Sequence, residues 1–324
     1  MHSIQQLQEI INKAIAGTKY TQKPTELYEP ISYLMELGGK RMRPVLVLLS
    51  TELFGADVMK ALDAAIGIEL FHNFTLMHDD IMDKAPLRRG KPTVHAKWSE
   101  SAAILSGDVM FVEAYKMMIK VEDSILREVL DIFSDTASGV CQGQQADMNF
   151  EKLDEVTVDE YLFMIRQKTA VLLAGSMQIG ALIGGAEKSQ AKLLHEFGEN
   201  LGLAFQLQDD ILDVYGDPEK FGKLVGGDIL ANKKTFLLIK AKELAKDEKS
   251  AELAKWINGT SHDATQKISA ITAIYDSLEV RKLAEAQMEQ FVNKAITALD
   301  QTGIQNDTKV ILQSFAESLL IREQ

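Results

Sequence analysis

IGIELFHNFTLMHDDIMDKAPLRRG, residues 66–90, sets the fold class and the chemistry together. An apolar run carrying His72 ends in three acids, Asp79, Asp80 and Asp83, and two arginines, Arg88 and Arg89, follow within two turns. Residues 57–84 read as one long apolar helix. At 3.6 residues per turn, Asp79 and Asp83 fall about 40° apart, and His72 lies almost directly beneath Asp79, seven residues back. One face therefore gathers carboxylates, and the next loop supplies guanidinium groups. Most charge runs are solvated helix ends. Here, however, negative charge at a helix C-terminus opposes the macrodipole, and like charges at i,i+4 repel. A bound divalent cation would offset that cost.

Working outward, the whole chain reads as helical. Long stretches of Ala, Leu, Glu, Lys and Gln with only six prolines favour helix over strand. The 324 residues allow two domains by length, yet no Pro/Ser/Gly-rich linker, low-complexity tract or charge block divides them, so one domain over residues 1–324 is expected. A hydrophobic fraction of 46% and a charged fraction of 25% supply ample material for a core. The net charge of −12 disfavours nucleic acid and anionic surfaces as partners, so an anionic ligand would need locally concentrated Lys/Arg or metal ions. The single Cys141 excludes an intrachain disulfide and a cysteine zinc site, consistent with a reducing compartment. The N-terminus lacks a basic region followed by an apolar core, and no run of eighteen apolar residues appears, so the expected location is cytoplasmic.

Upstream, residues 3–16 form an amphipathic pattern with Ile4, Leu7, Ile11 and Ile15 on one side, and Pro24 and Pro30 frame a second helical start at Ile31. GGKRMRP, residues 38–44, follows. Its glycines free the backbone, Pro44 pre-sets the next helix, and Lys40, Arg41 and Arg43 beside a helix start suit an anion such as phosphate, although a basic surface loop would look the same. Downstream, helices are expected from Ser99 to Met118 and over 124–148, the second ending in the polar Gly143-Gln144-Gln145-Ala146-Asp147. From Val158 to Gly185 the pattern is apolar nearly all round, which implies burial, but Lys168 and Thr169 interrupt it. A buried lysine needs an anionic partner.

GENLGLAFQLQDDILDVYG, residues 198–216, repeats the opening pattern 130 residues later: Asp209, Asp210 and Asp213 sit behind an apolar helix, with Gln206 seven residues before Asp213 on the same stripe. One such triplet among 47 acids is weak; two, each at the C-terminal part of an apolar helix, are strong. The next segment, residues 216–235, carries four glycines with Lys220, Lys223, Lys233 and Lys234, and reads as a flap over a charged ligand. Four amphipathic helices, about 236–257, 262–275, 278–300 and 306–322, complete the chain. Hard oxygen ligands without His or Cys clusters point to Mg²⁺, which takes one or two carboxylates together with phosphate oxygens. Six acids around metal ions and a polyphosphate could stabilise diphosphate as it departs.

GGKRMRP, HNFTLMHDDIMDKAPLRRGKPT, GQQAD, KT, FQLQDDILD, GKLVGGD and KKT, in that order and spacing, resemble the trans-polyprenyl diphosphate synthase family over residues of about 30–240, with its short-chain members, the farnesyl and geranylgeranyl diphosphate synthases, as the nearest type. The resemblance implies an all-α bundle around a central cavity, generally a homodimer, in which an Mg²⁺-dependent reaction joins isopentenyl diphosphate to an allylic diphosphate such as dimethylallyl, geranyl or farnesyl diphosphate. It implies three Mg²⁺ per site, with Mn²⁺ as a substitute: Asp79 and Asp83, supported by Asp80, for two ions, and Asp209, with Asp210 and Asp213 acting through water, for the third. Arg88, Lys168 and Lys233 would hold the allylic diphosphate. Lys40, Arg43, His72 and Arg89 would hold isopentenyl diphosphate. Thr169 and Gln206 would turn oxygen dipoles towards the developing allylic cation. Phe74, five residues before the first aspartate, would floor the chain pocket and stop growth at C15–C20, with the small Thr75 beside it favouring C20. His78 and His95 lack such support and read as structural. Asn232 stands where the family commonly has glycine and Leu237 where it often has proline, which bears on the shape of the flap; the C-terminal IREQ lacks a basic tail.

Three other readings share part of the pattern. A class I terpene cyclase has one D-D-x-x-D helix, but its second metal motif usually has Asn, Ser/Thr and Glu, and it has little use for Lys40, Arg43 and His72. A non-catalytic partner subunit of a heteromeric synthase would not need both triplets whole. A ligand-free acidic bundle would not bind diphosphate with Mg²⁺.

Overall fold

Ser3 opens the first helix, α1 (Ile4–Gly17), with a capping box: its hydroxyl takes the Gln6 N–H and the Gln6 side chain returns to the Ser3 N–H. Leu7, Ile11 and Ile15 of α1 are buried, the face that the periodicity marks. The computed structural model describes residues 1–217, 225–259 and 263–321. Among them the structure is all-α, as expected, with one two-residue strand pair, β1 (Leu87–Arg88) against β2 (Lys91–Pro92). Lys220 and Lys223 of the expected flap lie outside the described residues, as do residues 322–324 of the C-terminus. No helix among the described residues is long and apolar enough to cross a membrane.

The chain packs as two compact units. The first comprises Met1–Asp135, Gly175–His195 and Thr302–Ile311. Its helix α2 (Thr25–Glu36) runs through Pro30 instead of starting after it. The proline's fixed φ suits the helix, and its missing N–H forgoes only the bond to the Glu26 carbonyl. Helix α3 (Met42–Leu53) buries Pro44 through Thr51 without a break, and the Thr51 hydroxyl donates to the Gly180 carbonyl. The expected 57–84 helix is present as a 3₁₀ turn, Val58–Ala61, leading into α4 (Leu62–Met82). A short α5 (Val94–Lys97) precedes α6 (Glu100–Met118), which packs along α4. Between them Phe71, Phe74, Phe111, Tyr115 and Phe133 form a continuous cluster of aromatic contacts with centroids 4.8–5.6 Å apart. Spacings of this kind are those of favourable edge and offset ring pairs.

The second unit comprises Thr136–Ala174, Glu196–Gln301 and Leu312–Gln324. It takes in the C-terminal half of α7 (Asp123–Phe150), α8 (Val158–Ile165), one π-helical turn at Arg166–Ala170, the start of α9 (Val171–Ile183) and the second half of α10 (Lys188–Tyr215). Helices Gly227–Leu230, Phe236–Leu244, Asp247–Asn258, Ala264–Ser277 and Val280–Gln301 follow. The helix expected over 236–257 is two helices, because Ala245 turns extended and Asp247 and Glu248 place negative charge at a new N-terminus. Asn232 sits at φ 50°, the left-handed region that glycine serves and asparagine tolerates. Its carboxamide donates to the Ile257 carbonyl at 3.1 Å and accepts from Lys267 at 2.7 Å, so the departure from glycine comes with its own anchors. Leu237 is fully buried in the first turn of a helix capped by Thr235.

Candidate active site

In the first unit, α4 delivers its acids to its last turn. The Asp83 N–H closes on the Asp79 carbonyl at 2.8 Å, so the two residues stand one turn apart, Asp79 half-buried and Asp83 exposed. Asp80, 100° further round the helix from Asp79, is 3% exposed. Arg88 meets it in a fork, Nε 3.0 and 2.9 Å from the two carboxylate oxygens and Nη2 2.8 Å from Oδ1. A buried carboxylate needs such a partner. Arg88 therefore enters any ligand site already paired with the middle acid of the triplet.

Four of the expected anion-binding residues lie on two loops and two helices: Lys40 and Arg89 on the loops, Arg43 on α3 and His72 on α4. The Arg89 guanidinium donates to the Gly38 carbonyl, and a Cβ on Gly39, whose φ is +144°, would stand 2.8 Å from Arg89 Nη2. Arg43 lies beside His72, Nη1 to Nε2 at 3.2 Å. Burial, followed by Arg43, Arg89, Arg88 and Arg41, pushes the His72 imidazole well below its ordinary range, which makes it a neutral acceptor. Lys40 is exposed on the same loop. Arg41 corrects the reading of GGKRMRP as a cradle of three cations. It is 5% exposed, donates to Glu69 and the Met35 carbonyl, and supports the loop from inside. Phe74 stacks on Phe111 at 5.1 Å and 8°, and the Thr75 hydroxyl turns back to the His72 carbonyl at 2.8 Å.

In the second unit the interruption at Lys168 and Thr169 is the π turn itself, a widened turn of a kind that recurs at functional sites. Helix α7 meets it backbone to backbone: a Cβ on Gly143 would lie 2.1 Å from the Lys168 nitrogen. Lys168 is half-buried and not enclosed as its apolar surroundings in the sequence suggested, and its Nζ reaches an anionic partner, Asp147 Oδ2, at 2.5 Å. The Thr169 hydroxyl donates to Gln206 Oε1 at 3.1 Å, and Gln206 Nε2 donates to Asp210 Oδ1 at 3.3 Å. The Tyr161 hydroxyl donates to Asp210 Oδ2 at 2.6 Å. Asp210 is 2% exposed. Burial pushes its carboxyl up to about 7, and Asp228 adds to that, against the pull of Lys233, Tyr161 and Gln206. Asp213 Oδ2 accepts the Asp228 N–H at 2.9 Å, and Lys233 Nζ lies 3.5 Å from Asp228. Partial burial works against the Lys233 charge, but Asp228, Asp210 and Asp147 outweigh it and hold its pKa above the ordinary lysine value.

Comparison with known proteins gives this geometry a family. A family model described as polyprenyl synthetase matches residues 24–275. The chain belongs to the polyprenyl synthetase family. It is 44% identical to a geranylgeranyl diphosphate synthase of Methanosarcina mazei over 72% of each chain. It is 35% identical to a short chain isoprenyl diphosphate synthase of Methanothermobacter thermautotrophicus over 100% of this chain and 98% of that one. Among solved structures, a geranylgeranyl pyrophosphate synthase at 40% identity covers 100% of both chains with a TM-score of 0.94.

The donor set of this polyprenyl synthetase fits Mg²⁺. All six triplet groups are hard carboxylate oxygens, and Asp79 and Asp83 stand as a one-turn pair. Among the described residues no three His, Cys, Asp or Glu side chains converge into a ready-made cage. A metal that keeps its waters and completes its shell with phosphate oxygens needs only such pairs. Tyr161 and Asp228 are the site residues that sequence reasoning passed over. Tyr161 lies seven residues before Lys168, hence on its stripe, which was the available signal; Asp228 lay in the GGD segment without a role.

Proposed function

We propose that the chain is a head-to-tail prenyltransferase that condenses isopentenyl diphosphate with an allylic diphosphate to give a C15–C20 all-trans prenyl diphosphate. The observation that carries the reading is the same division in both triplets. The middle acid, Asp80 or Asp210, is buried at 3% or 2% exposure and held by neighbours, while the outer acids stand one turn apart and are more exposed. Family membership and the relatives' names support the reaction class and the short product.

Mg²⁺ bound by Asp79 and Asp83, and by Asp209 with Asp213, three ions in all, would neutralise the diphosphate and stabilise it as a leaving anion. Arg88, Lys168 and Lys233 hold the allylic diphosphate, each already positioned by an acid: Asp80, Asp147 and Asp228. Lys40, Arg43 and Arg89 hold isopentenyl diphosphate, with neutral His72 orienting Arg43. Thr169 and Gln206 present oxygen dipoles to the allylic cation. The isopentenyl double bond attacks that cation, a new C–C bond forms, and the proton is lost to the released diphosphate. No protein nucleophile is required. Residues 1–324 act as one catalytic domain in this reading. We place the enzyme in the cytoplasm as a homodimer; the single cysteine supports the first and an exposed apolar stripe on α6 the second.

Product analysis by mass, with purified chain, Mg²⁺, isopentenyl diphosphate and each allylic diphosphate in turn, tests the reading. A C15–C20 prenyl diphosphate is expected, and Asp79→Ala should lower turnover by at least ~10²-fold with the fold intact. Hydrocarbon from an allylic diphosphate alone would indicate a cyclase, and an inactive purified chain a partner subunit.

A further inference from the structure

Tyr161 is a buried phenol, 1% exposed, that the reaction scheme leaves without a task. Its hydroxyl donates to Asp210 Oδ2 at 2.6 Å, and Gln206 Nε2 reaches the other oxygen. Gln206 turns its NH₂ to Asp210 and its carbonyl to Thr169. Thr169 must then donate its only hydroxyl hydrogen to Gln206 Oε1, as found at 3.1 Å, and its lone pairs are turned away from Gln206. Three elements, α8, α10 and the π turn, are joined by this chain of bonds, and the phenol anchors one end of it.

We propose that Tyr161 is a positioning residue: by anchoring Asp210 it fixes the orientation of the Gln206 carboxamide, and through it the direction in which the Thr169 oxygen presents its lone pairs to the reacting carbon. The inference rests on the prenyl-transfer reading and deepens it, since it names what keeps the two oxygen dipoles aimed. A phenylalanine at 161 keeps the ring in the core and removes only the donor. The Asp210 carboxylate then loses its fixed rotamer, and with it the amide orientation is no longer unique.

The test compares wild type and Tyr161→Phe in single-turnover condensation with an allylic diphosphate and with its fluoromethyl analogue, whose fluorine withdraws electrons from the forming cation. For Tyr161→Phe we expect the rate with the ordinary substrate to fall about tenfold, KM for either diphosphate to stay within about twofold, and the deficit to be several times larger with the fluorinated substrate. An unchanged rate, or an equal deficit with both substrates, would overturn the assignment, because a purely structural loss is indifferent to electron demand. If Tyr161→Phe does not fold, Asp210→Asn tests the centre of the chain. Its amide can donate to Gln206, reverse that carboxamide and turn the Thr169 hydrogen outward, so the same steeper dependence on fluorination is expected; equal deficits would again overturn it. Wild type that forms no product from the ordinary substrate would sink the prenyl-transfer reading itself, whereas an active wild type with indifferent variants would remove only Tyr161.

Discussion

His72 is set among arginines, and its proton balance follows from that. Burial, followed by four guanidinium groups, holds the folded imidazole neutral, whereas the unfolded chain takes up a proton as pH falls through about 6.5. The depressed folded pKa means that stability is intact above that pH and declines below it, by about 1.4 kcal/mol per pH unit. His72→Gln keeps an acceptor for Arg43 but does not titrate, so its thermal midpoint should fall less than that of wild type between pH 7.5 and 5.5. Parallel curves would contradict the neutral imidazole. Phe74 is a second residue-scale case. Its ring lies flat on Phe111 with Phe71 behind, a packed stack that a growing chain would have to displace. Phe74→Ala should lengthen the product by at least one C5 unit, read by mass with labelled isopentenyl diphosphate; an unchanged distribution would show that the floor lies elsewhere. The acids and cations were legible in the sequence because charge at the end of an apolar helix stands out locally. The bond from Tyr161 to Asp210 was not, since its partners lie 49 residues apart and a tyrosine in an apolar run looks like core.

The π turn at Arg166–Ala170 shows what an element contributes beyond its residues. An α-helix through Lys168 would present the lysine and Thr169 100° apart in the ordinary register; the wider turn instead lets one reach Asp147 on α7 and the other Gln206 on α10. The close passage of α7 depends on Gly143. An added Cβ would stand 2.1 Å from the Lys168 nitrogen and 2.5 Å from its Cα, backbone atoms that have no rotamer to yield. Gly143→Ala should therefore cost about 1–3 kcal/mol or more and lower turnover with it. Gly185→Ala, where no atom lies within 4 Å, offers a control for φ strain alone, since its φ is +89°. A Gly143→Ala enzyme as stable and active as wild type would refute the backbone contact. Helix existence was read correctly along the chain because 3.6-residue periodicity survives in apolar segments. Boundaries were read less well: Pro30 sits inside α2, and residues 236–257 split at Ala245, because tertiary burial and capping decide such points.

On the scale of the whole molecule, a chain with net charge −12 repels its own copies at long range, so self-association must rest on contact at an uncharged surface. Helix α6 has one. Leu105, Val112 and Ile119 are spaced by seven residues, hence on one face, and are 58%, 53% and 52% exposed, with Ile104 beside them at 42%. Such a stripe on an otherwise acidic protein is the kind of patch that a two-fold partner covers, because a C₂ contact pairs the same surface with itself. Burying a carboxylate opposite its own symmetry mate carries both desolvation and repulsion. Val112→Asp should thus shift the sedimenting species from two chains to one at micromolar concentration, while Lys116→Ala on the same helix should not. If both variants sediment as wild type does, the stripe is not the contact. If Val112→Asp sediments as one chain and keeps full turnover, the dimer exists for stability and each chain's site is complete in itself.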